Sequence, residues 1–213
     1  ALSLPVLKPA QMNLFAGQSG TGLEDLLGAF GYTAYTDFYN EQDGTVRVFL
    51  DDTSTLRLNS SGLVQYASTD GSATVSAYDE SDITDAAALD AQLDCARLIL
   101  DAAQRVGDTD THASLYAVER SGEQTTLIFL QMYSGVPVLG DADFATFVFN
   151  GSALRTATIR LQKFQPTGGK RTVMPAKQAA AGASGAERGL MAAYRAQDGQ
   201  YVPSRFYLKN AAE

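Results

Sequence analysis

Histidine, cysteine and tryptophan are almost or wholly missing from this 213-residue sequence, which has one His, one Cys and no Trp. A zinc centre needs several His or Cys ligands, so none is expected. A single cysteine cannot form an intrachain disulfide, which excludes a small disulfide-stapled scaffold. Aromatic packing therefore depends on ten Tyr and ten Phe.

Basic residues are also in short supply. The chain has 16 Lys and Arg against 24 Asp and Glu, a net charge of −8. Binding to nucleic acid or to an anionic lipid surface needs a basic face, so neither activity is expected. No apolar run approaches the roughly 20 residues that span a bilayer. The hydrophobic fraction of 45% is nevertheless that of a folded globular protein.

The first part of the chain has the pattern of a helix followed by a meander of strands. Residues 1–20 look like an extended lead-in interrupted by Pro5 and Pro9. Thr21 can cap a short helix, which Gly31 ends. Turn residues between alternating runs then predict antiparallel strands. The predicted strands are residues 32–39, 45–50, 55–58 and 63–66.

The second part repeats this order. A long helix begins at Asp82 or Thr84 and ends near Val106, before Gly107. Its apolar stripe consists of Leu89, Leu93, Ala96, Leu100 and Ala103. The predicted strands that follow are residues 113–119, 124–133, 144–149 and 154–161, with a bend at 134–140.

The repeated order predicts an α+β fold of tandem units, each a helix packed on an antiparallel four-stranded meander sheet. We divide the chain into a first unit with its lead-in at 1–67, a connection at 68–82, and a second unit at 83–208. The last region adds a short helix at 174–182 and a final strand at 201–208. Residues 187–196 fit either a helix or a strand.

The residues that usually carry chemistry do not form a site in the sequence. His112 starts a predicted strand, and no G-x-S-x-G elbow accompanies it, so we interpret it as a surface or strand-end residue. Cys95 lies mid-helix beside Asp94, where nothing lowers its pKa, so we interpret it as a small hydrophobe.

Paired carboxylates are the other candidates, because glycosidases use two. The pairs 51–52, 108/110 and 141/143 all lie in predicted turns, where Asp side chains bond their own backbone. A calcium loop would need more ligands than Asp108 and Asp110. We therefore expect no catalytic, cofactor-binding or metal-binding residue, no cofactor, and no enzymatic activity.

Two groups of aromatic residues could form a ligand platform or belong to the core. Alternate strand positions point inward, which favours the core for both groups. The groups are Tyr35, Phe38 and Tyr39, and then Tyr133, Phe144, Phe147 and Phe149.

Residues 129–138 read F-L-Q-M-Y-S-G-V-P-V, a strand followed by a distinctive turn. Gly135 permits a turn conformation closed to other residues. Pro137 cannot donate to a β-ladder and is expected at an edge or bulge. Val136 and Val138 share one face. Tyr133 and these four residues are therefore either a partner-binding motif or a structural bend.

This motif and the strands after it resemble YycH/YycI-type extracytoplasmic regulators of two-component systems and, second, PepSY-like propeptide domains. The YycI-like resemblance extends to Met174-Pro175, Tyr194 and Tyr201-Val202-Pro203.

The YycI-like resemblance implies a non-enzymatic regulator in a Gram-positive bacterium. It would bind another membrane or secreted protein, a sensor kinase or a fellow regulator, and modulate the kinase. It would lie at the extracytoplasmic face of the cell membrane, anchored by an N-terminal segment upstream of Ala1. The PepSY-like resemblance implies a protease inhibitor or propeptide-type domain, and a ligand-binding lipoprotein is a third alternative.

Overall fold

The computed structural model describes residues 2–16, 20–33, 35–68, 74–79, 83–181 and 190–207. Within them lie three α-helices, a 3-10 turn at Gln42–Gly44 and thirteen strands. The helices are α1 (Gly20–Ala29), α2 (Asp85–Val106) and α3 (Ala176–Ala181). The strands are β1 (Leu2–Ala10), β2 (Phe38–Glu41), β3 (Val46–Leu50), β4 (Ser54–Asn59), β5 (Leu63–Ser68), β6 (Thr111–Ser121), β7 (Gln124–Tyr133), β8 (Val136–Leu139), β9 (Ala145–Asn150), β10 (Ala153–Arg160), β11 (Lys163–Val173), β12 (Leu190–Gln197) and β13 (Gln200–Tyr207).

The predicted fold class is wrong, because the described chain is mostly β and its strands form one mixed sheet. The described strands do not form tandem four-stranded units. Strand β5, from the first predicted unit, pairs antiparallel with β10, from the second, and places Tyr66 opposite Ala157. A meander leaves unpaired backbone groups at its edges. Here the edge strands of the two predicted meanders, β5 and β10, form hydrogen bonds with each other. A pattern of local turns cannot reveal such a pairing between distant strands.

The sheet divides at β7. Strand β6 pairs with one edge of β7 along its whole length. The other edge is shared, since β9 pairs with Gln124–Phe129 and β8 with Gln131–Tyr133. The long branch runs β6-β7-β9-β10-β5-β4-β3-β2 and is antiparallel throughout. The short branch continues from β8 through β12, β13, β1 and β11, with β8 and β12 parallel.

Helices α1 and α2 cover one face of the long branch and form the first core with it. Of the two predicted starting residues, Thr84 is the one that caps α2, its hydroxyl accepting from the Ala87 amide at 3.3 Å. The predicted stripe is confirmed, with Leu89 and Leu93 partly buried and the other members fully buried. The largest fully buried side chains of the first core are those of Phe30, Tyr66, Phe129, Phe147 and Phe149.

A second core lies within the short branch. It is smaller than the first and richer in tyrosine. Its members are Leu4, Leu7, Val136, Val138, Phe164, Val173, Tyr194 and Tyr201. The branch therefore has its own hydrophobic packing, separate from the layer beneath the helices.

Several element predictions need correction. The lead-in contains β1, which pairs with β11. The segment containing Pro166 and Gly168, to which no strand was assigned, lies within β11. The bend at 134–140 contains β8, and 190–197 is a strand. Residues 32–33 and 35–37 are not strand, and Thr21 lies inside α1 rather than before it. Of the connection at 68–82, residues 69–73 and 80–82 lie outside the described residues.

Candidate functional site

The G-V-P-V motif begins with a tight turn between β7 and β8. Ser134 and Gly135 have φ angles of 48° and 77°, and both are exposed. Two consecutive positive φ values are the type I′ pattern of a two-residue hairpin, which explains the glycine. Pro137 lies opposite Met132 of β7, and the pairing of β8 with β12 begins one residue later, at Val138.

The apolar residues of this motif build the second core. Val136, Pro137 and Val138 are buried. The Tyr133 ring meets those of Phe164 and Tyr194 edge-on, with centroids 6.3 and 6.0 Å apart. The solvent reaches the motif mainly at the turn of Ser134 and Gly135. A partner-binding role for the motif stays a prediction.

Tyr194 stands at the centre of the second core and is fully buried. Its hydroxyl has no hydrogen-bond partner among the described residues. Burial, followed by the nearby Tyr133, raises the pKa of Tyr194 to about 12. The side chain is therefore neutral in the folded protein at ordinary pH.

The lone histidine and the lone cysteine lie on different elements, β6 and α2. His112 is exposed at the start of β6, opposite Met132. Cys95 packs against the first core, as predicted, and burial raises the pKa of its thiol to about 11. A thiol with a raised pKa is a poor nucleophile because little of it is thiolate.

Two of the predicted carboxylate residues, Asp51 and Asp108, form contacts that stabilise turns. Asp51 accepts hydrogen bonds from the amides of Thr53 and Ser54 at 2.7 and 2.6 Å, and from the Thr74 hydroxyl at 3.0 Å. Partial burial acts to raise the pKa of Asp51, but these hydrogen bonds outweigh it and lower the pKa. Asp108 pairs with Lys163 at 2.6 Å, which lowers its pKa. Across the described part of the chain, no three potential ligands cluster for a metal ion.

A buried polar cluster extends inward from Asp51. Ser54 is fully buried, and its hydroxyl lies 2.7 Å from that of Tyr32 and 3.0 Å from that of Thr74. Burial raises the pKa of Tyr32 to about 12, although the hydrogen bond to Ser54 opposes this. The cluster holds the turn between β3 and β4 against the loop after α1.

A cavity of about 230 Å³ lies where the two branches separate. Three of its polar side chains are linked to each other or to neighbouring groups. The Gln131 amide nitrogen donates to the Thr111 hydroxyl at 2.8 Å and to the Gln162 carbonyl at 2.7 Å. The Tyr201 hydroxyl donates to the Gln162 side chain at 3.0 Å. These contacts connect the two branches of the sheet, and Asp141 and Arg160 also line the cavity.

The two groups of aromatic residues differ in burial. Phe144, Phe147 and Phe149 are buried as predicted, and Tyr133 is partly buried. The core prediction is wrong for the first group, which is exposed. Tyr35, Phe38 and Tyr39 are 95%, 49% and 47% exposed. Strand β2 ends the long branch, and alternation along a strand cannot tell an inner strand from an end strand.

The most distinctive surface is the outer edge of β6. Strand β6 has eleven residues, and no described strand pairs with this edge. Leu115, Tyr116 and Val118 are 37%, 44% and 37% exposed. A bulge between Leu115 and Ala117 takes Tyr116 out of register with β7. Sequence analysis found the strand but had no means of finding its open side.

Comparison of the chain with family models, curated proteins and solved structures finds no match. None of the described helices combines the length and the apolar character needed to cross a bilayer. The candidate site is therefore the outer edge of β6, whose geometry suits backbone pairing.

Proposed function

We propose that this protein is a non-enzymatic regulatory domain that binds another protein. As the resemblance to YycH/YycI-type regulators implies, the partner is a sensor kinase or a fellow regulator at the extracytoplasmic face of the cell membrane. The observation that carries the binding role is the open edge of β6.

An open edge offers unpaired N–H and C=O groups to an extended segment, which can add to the sheet as a further strand. Eleven residues in extended form span about 36 Å, so β6 can take a segment of similar length. The exposed side chains of Leu115, Tyr116 and Val118 supply apolar contacts beside the backbone pairing. Main-chain hydrogen bonds give such a site affinity, and the side chains give it selectivity.

The composition of β6 supports a binding edge, since proteins usually protect an open edge with charge, proline or a bulge. Residues 113–118 read A-S-L-Y-A-V and contain a bulge at Tyr116 but no charge and no proline. Strand β11, the edge of the short branch, contains Pro166, Lys170 and Arg171. The centre of β6 is therefore less protected against pairing than β11.

The test is site-specific photocrosslinking in the native host with the full-length protein. The photoreactive residue replaces Tyr116 and, as a control, Leu98, which is exposed on α2 at 62% against 44% for Tyr116. Mass spectrometry should identify a sensor kinase ectodomain or a membrane-bound regulator at Tyr116 and not at Leu98. Equal capture at both positions, or none at Tyr116, overturns the proposal. A secreted protease at Tyr116 supports the inhibitor function instead.

Lysine substitutions at the two ends of the long branch provide a second test of the same proposal. Val118→Lys places a cation where a pairing strand would lie and should abolish the crosslink at Tyr116. Leu50→Lys, at a residue 46% exposed on the far end of the long branch, should leave it unchanged. Kinase output measured in both strains should follow the crosslink.

A further inference from the structure

The far end of the long branch exposes four large apolar side chains. These are Tyr35, Phe38, Tyr39 and Leu50, which we name the aromatic edge, and each is at least 46% exposed. Strand β2 pairs with β3 on one side, and no described strand pairs with the other. Several exposed apolar side chains beside an unpaired strand make this end of the sheet a candidate interaction site.

Aromatic rings stand on both faces of β2. Phe38 lies opposite Phe49, whose ring is 5.2 Å away and belongs to the first core. Tyr39 lies opposite Val48 and so points to the other face. A segment that paired with β2 would therefore meet an aromatic side chain on each of its own faces.

The surroundings of the aromatic edge are acidic. Residues 35–52 contain one basic residue, Arg47, and five carboxylates: Asp37, Glu41, Asp43, Asp51 and Asp52. Glu41 is paired with Arg57 at 2.6 Å. Asp37, Asp43 and Asp52 are exposed and have no ion-pair partner among the described residues.

The only cation of this segment is already held by aromatic rings. The Arg47 guanidinium lies 4.2 Å from the centre of the Phe15 ring and 5.4 Å from that of Phe38. Tyr35 and Tyr39 have no ring or cation against them within the described part of the chain. Cations bind over such ring faces, and nearby carboxylates add attraction.

We propose that the aromatic edge binds an extended segment of another protein with Lys or Arg at alternate positions. Its backbone pairs with Phe38–Glu41, and its cations lie over Tyr35 and Tyr39 among the unpaired carboxylates. Alternate residues of an extended chain share a face, so the spacing places successive cations on the same side.

This site goes beyond the proposed function because it lies at the opposite end of the long branch from β6. Seven interstrand spacings of about 4.8 Å separate the two edges, a path of about 34 Å across the sheet. A segment bound at one edge does not cover the other. The two proposals can therefore fail separately.

Fluorescence anisotropy with two labelled decapeptides tests the chemistry of the partner. One peptide alternates Lys and Val, and the other alternates Glu and Val. We expect the lysine peptide to bind, with an affinity that falls as salt is added, and the glutamate peptide to bind at least tenfold more weakly, since screening and charge sign both act on this attraction. Equal affinity for the two peptides, or no binding of the lysine peptide, overturns the proposal.

Substitutions locate the binding to the aromatic edge. Tyr35→Ala and Tyr39→Ala should each weaken binding of the lysine peptide by about two- to fivefold, the size of an exposed cation–π contact. Tyr116→Ala removes a tyrosine of matching exposure on β6 and should leave the affinity unchanged. Loss of affinity in Tyr116→Ala equal to that in Tyr39→Ala overturns the assignment. Tyr35 is almost wholly exposed, so its removal does not endanger folding.

Discussion

Two buried tyrosines differ by one hydrogen bond, and that difference predicts opposite effects of the same substitution. The Tyr32 hydroxyl lies 2.7 Å from that of Ser54, whereas the Tyr194 hydroxyl has no partner among the described residues. Tyr32→Phe should lower the free energy of unfolding by about 0.5–1.5 kcal/mol. Tyr194→Phe should leave it unchanged or raise it, because the change removes a polar atom whose burial is uncompensated.

Urea unfolding of the two variants and the parent protein measures both effects. The substitutions are matched, since each removes one oxygen and keeps the buried ring. Equal losses of stability in the two variants would show that the Ser54 hydrogen bond contributes nothing specific.

At this scale, sequence analysis succeeded where chain neighbours decide the outcome. Thr84 caps α2, and Gly135 adopts a positive φ, because both depend on residues two or three positions away. It was wrong for Tyr35, Phe38 and Tyr39, whose exposure depends on the absence of a strand beyond β2. No local pattern carries that information.

Gly62 shows how a single turn joins distant elements. It lies between β4 and β5 with a φ of 106°, and a Cβ there would come within 2.6 Å of the Leu161 carbonyl oxygen and 2.8 Å of the Met12 sulfur. The Leu161 amide also donates to the Gly62 carbonyl at 3.0 Å. The segment after β10 thus presses directly on this hairpin.

Gly62→Ala should therefore destabilise the protein by about 1–3 kcal/mol more than Gly44→Ala, the additional cost being that of overpacking. Gly44 is the matched control because it also has a positive φ, 84°, but its Cβ would meet nothing within 4 Å. Thermal or urea unfolding of both variants provides the comparison. If their losses agree, only backbone strain acts at Gly62, and the close approach is not limiting.

The whole sheet couples the two halves of the chain. Strands β5 and β10 pair over five residues, and the first core includes Phe30 and Tyr66 from the first half with Phe147 and Ile159 from the second. The short branch joins this body through β7 and β8. Neither half of the long branch can open without exposing the shared core.

We therefore expect one cooperative unfolding transition. Fluorine NMR of protein labelled with fluorophenylalanine can follow Phe147 in the first core and Phe164 in the second. Both native signals should disappear with the same urea midpoint, as two-state unfolding requires. Loss of the Phe164 signal at lower urea would show that the short branch opens by itself.

The pairing between distant strands explains why individual strands and helices could be predicted from the sequence better than their arrangement in the sheet. The bounds of β7, residues 124–133, match the prediction, because turns flank that strand on both sides. The pairs β5–β10 and β1–β11 join strands about 90 and 160 residues apart, and alternation in one strand does not specify a remote partner. The candidate site depends on the same knowledge, since an edge is defined by the strand that is missing beside it.

The pairing of β1 also has a consequence for the order of events during synthesis. Lys8 lies opposite Gln165, which the ribosome adds 157 residues later (165 − 8). At about 5–20 residues per second, β1 waits roughly 8–30 s before its partner strand exists. During that time its apolar residues, Leu4, Val6 and Leu7, have no sheet to join. Pro5 and Pro9 interrupt the row of backbone donors, so the strand that waits longest is also poorly suited to pairing with the wrong chain.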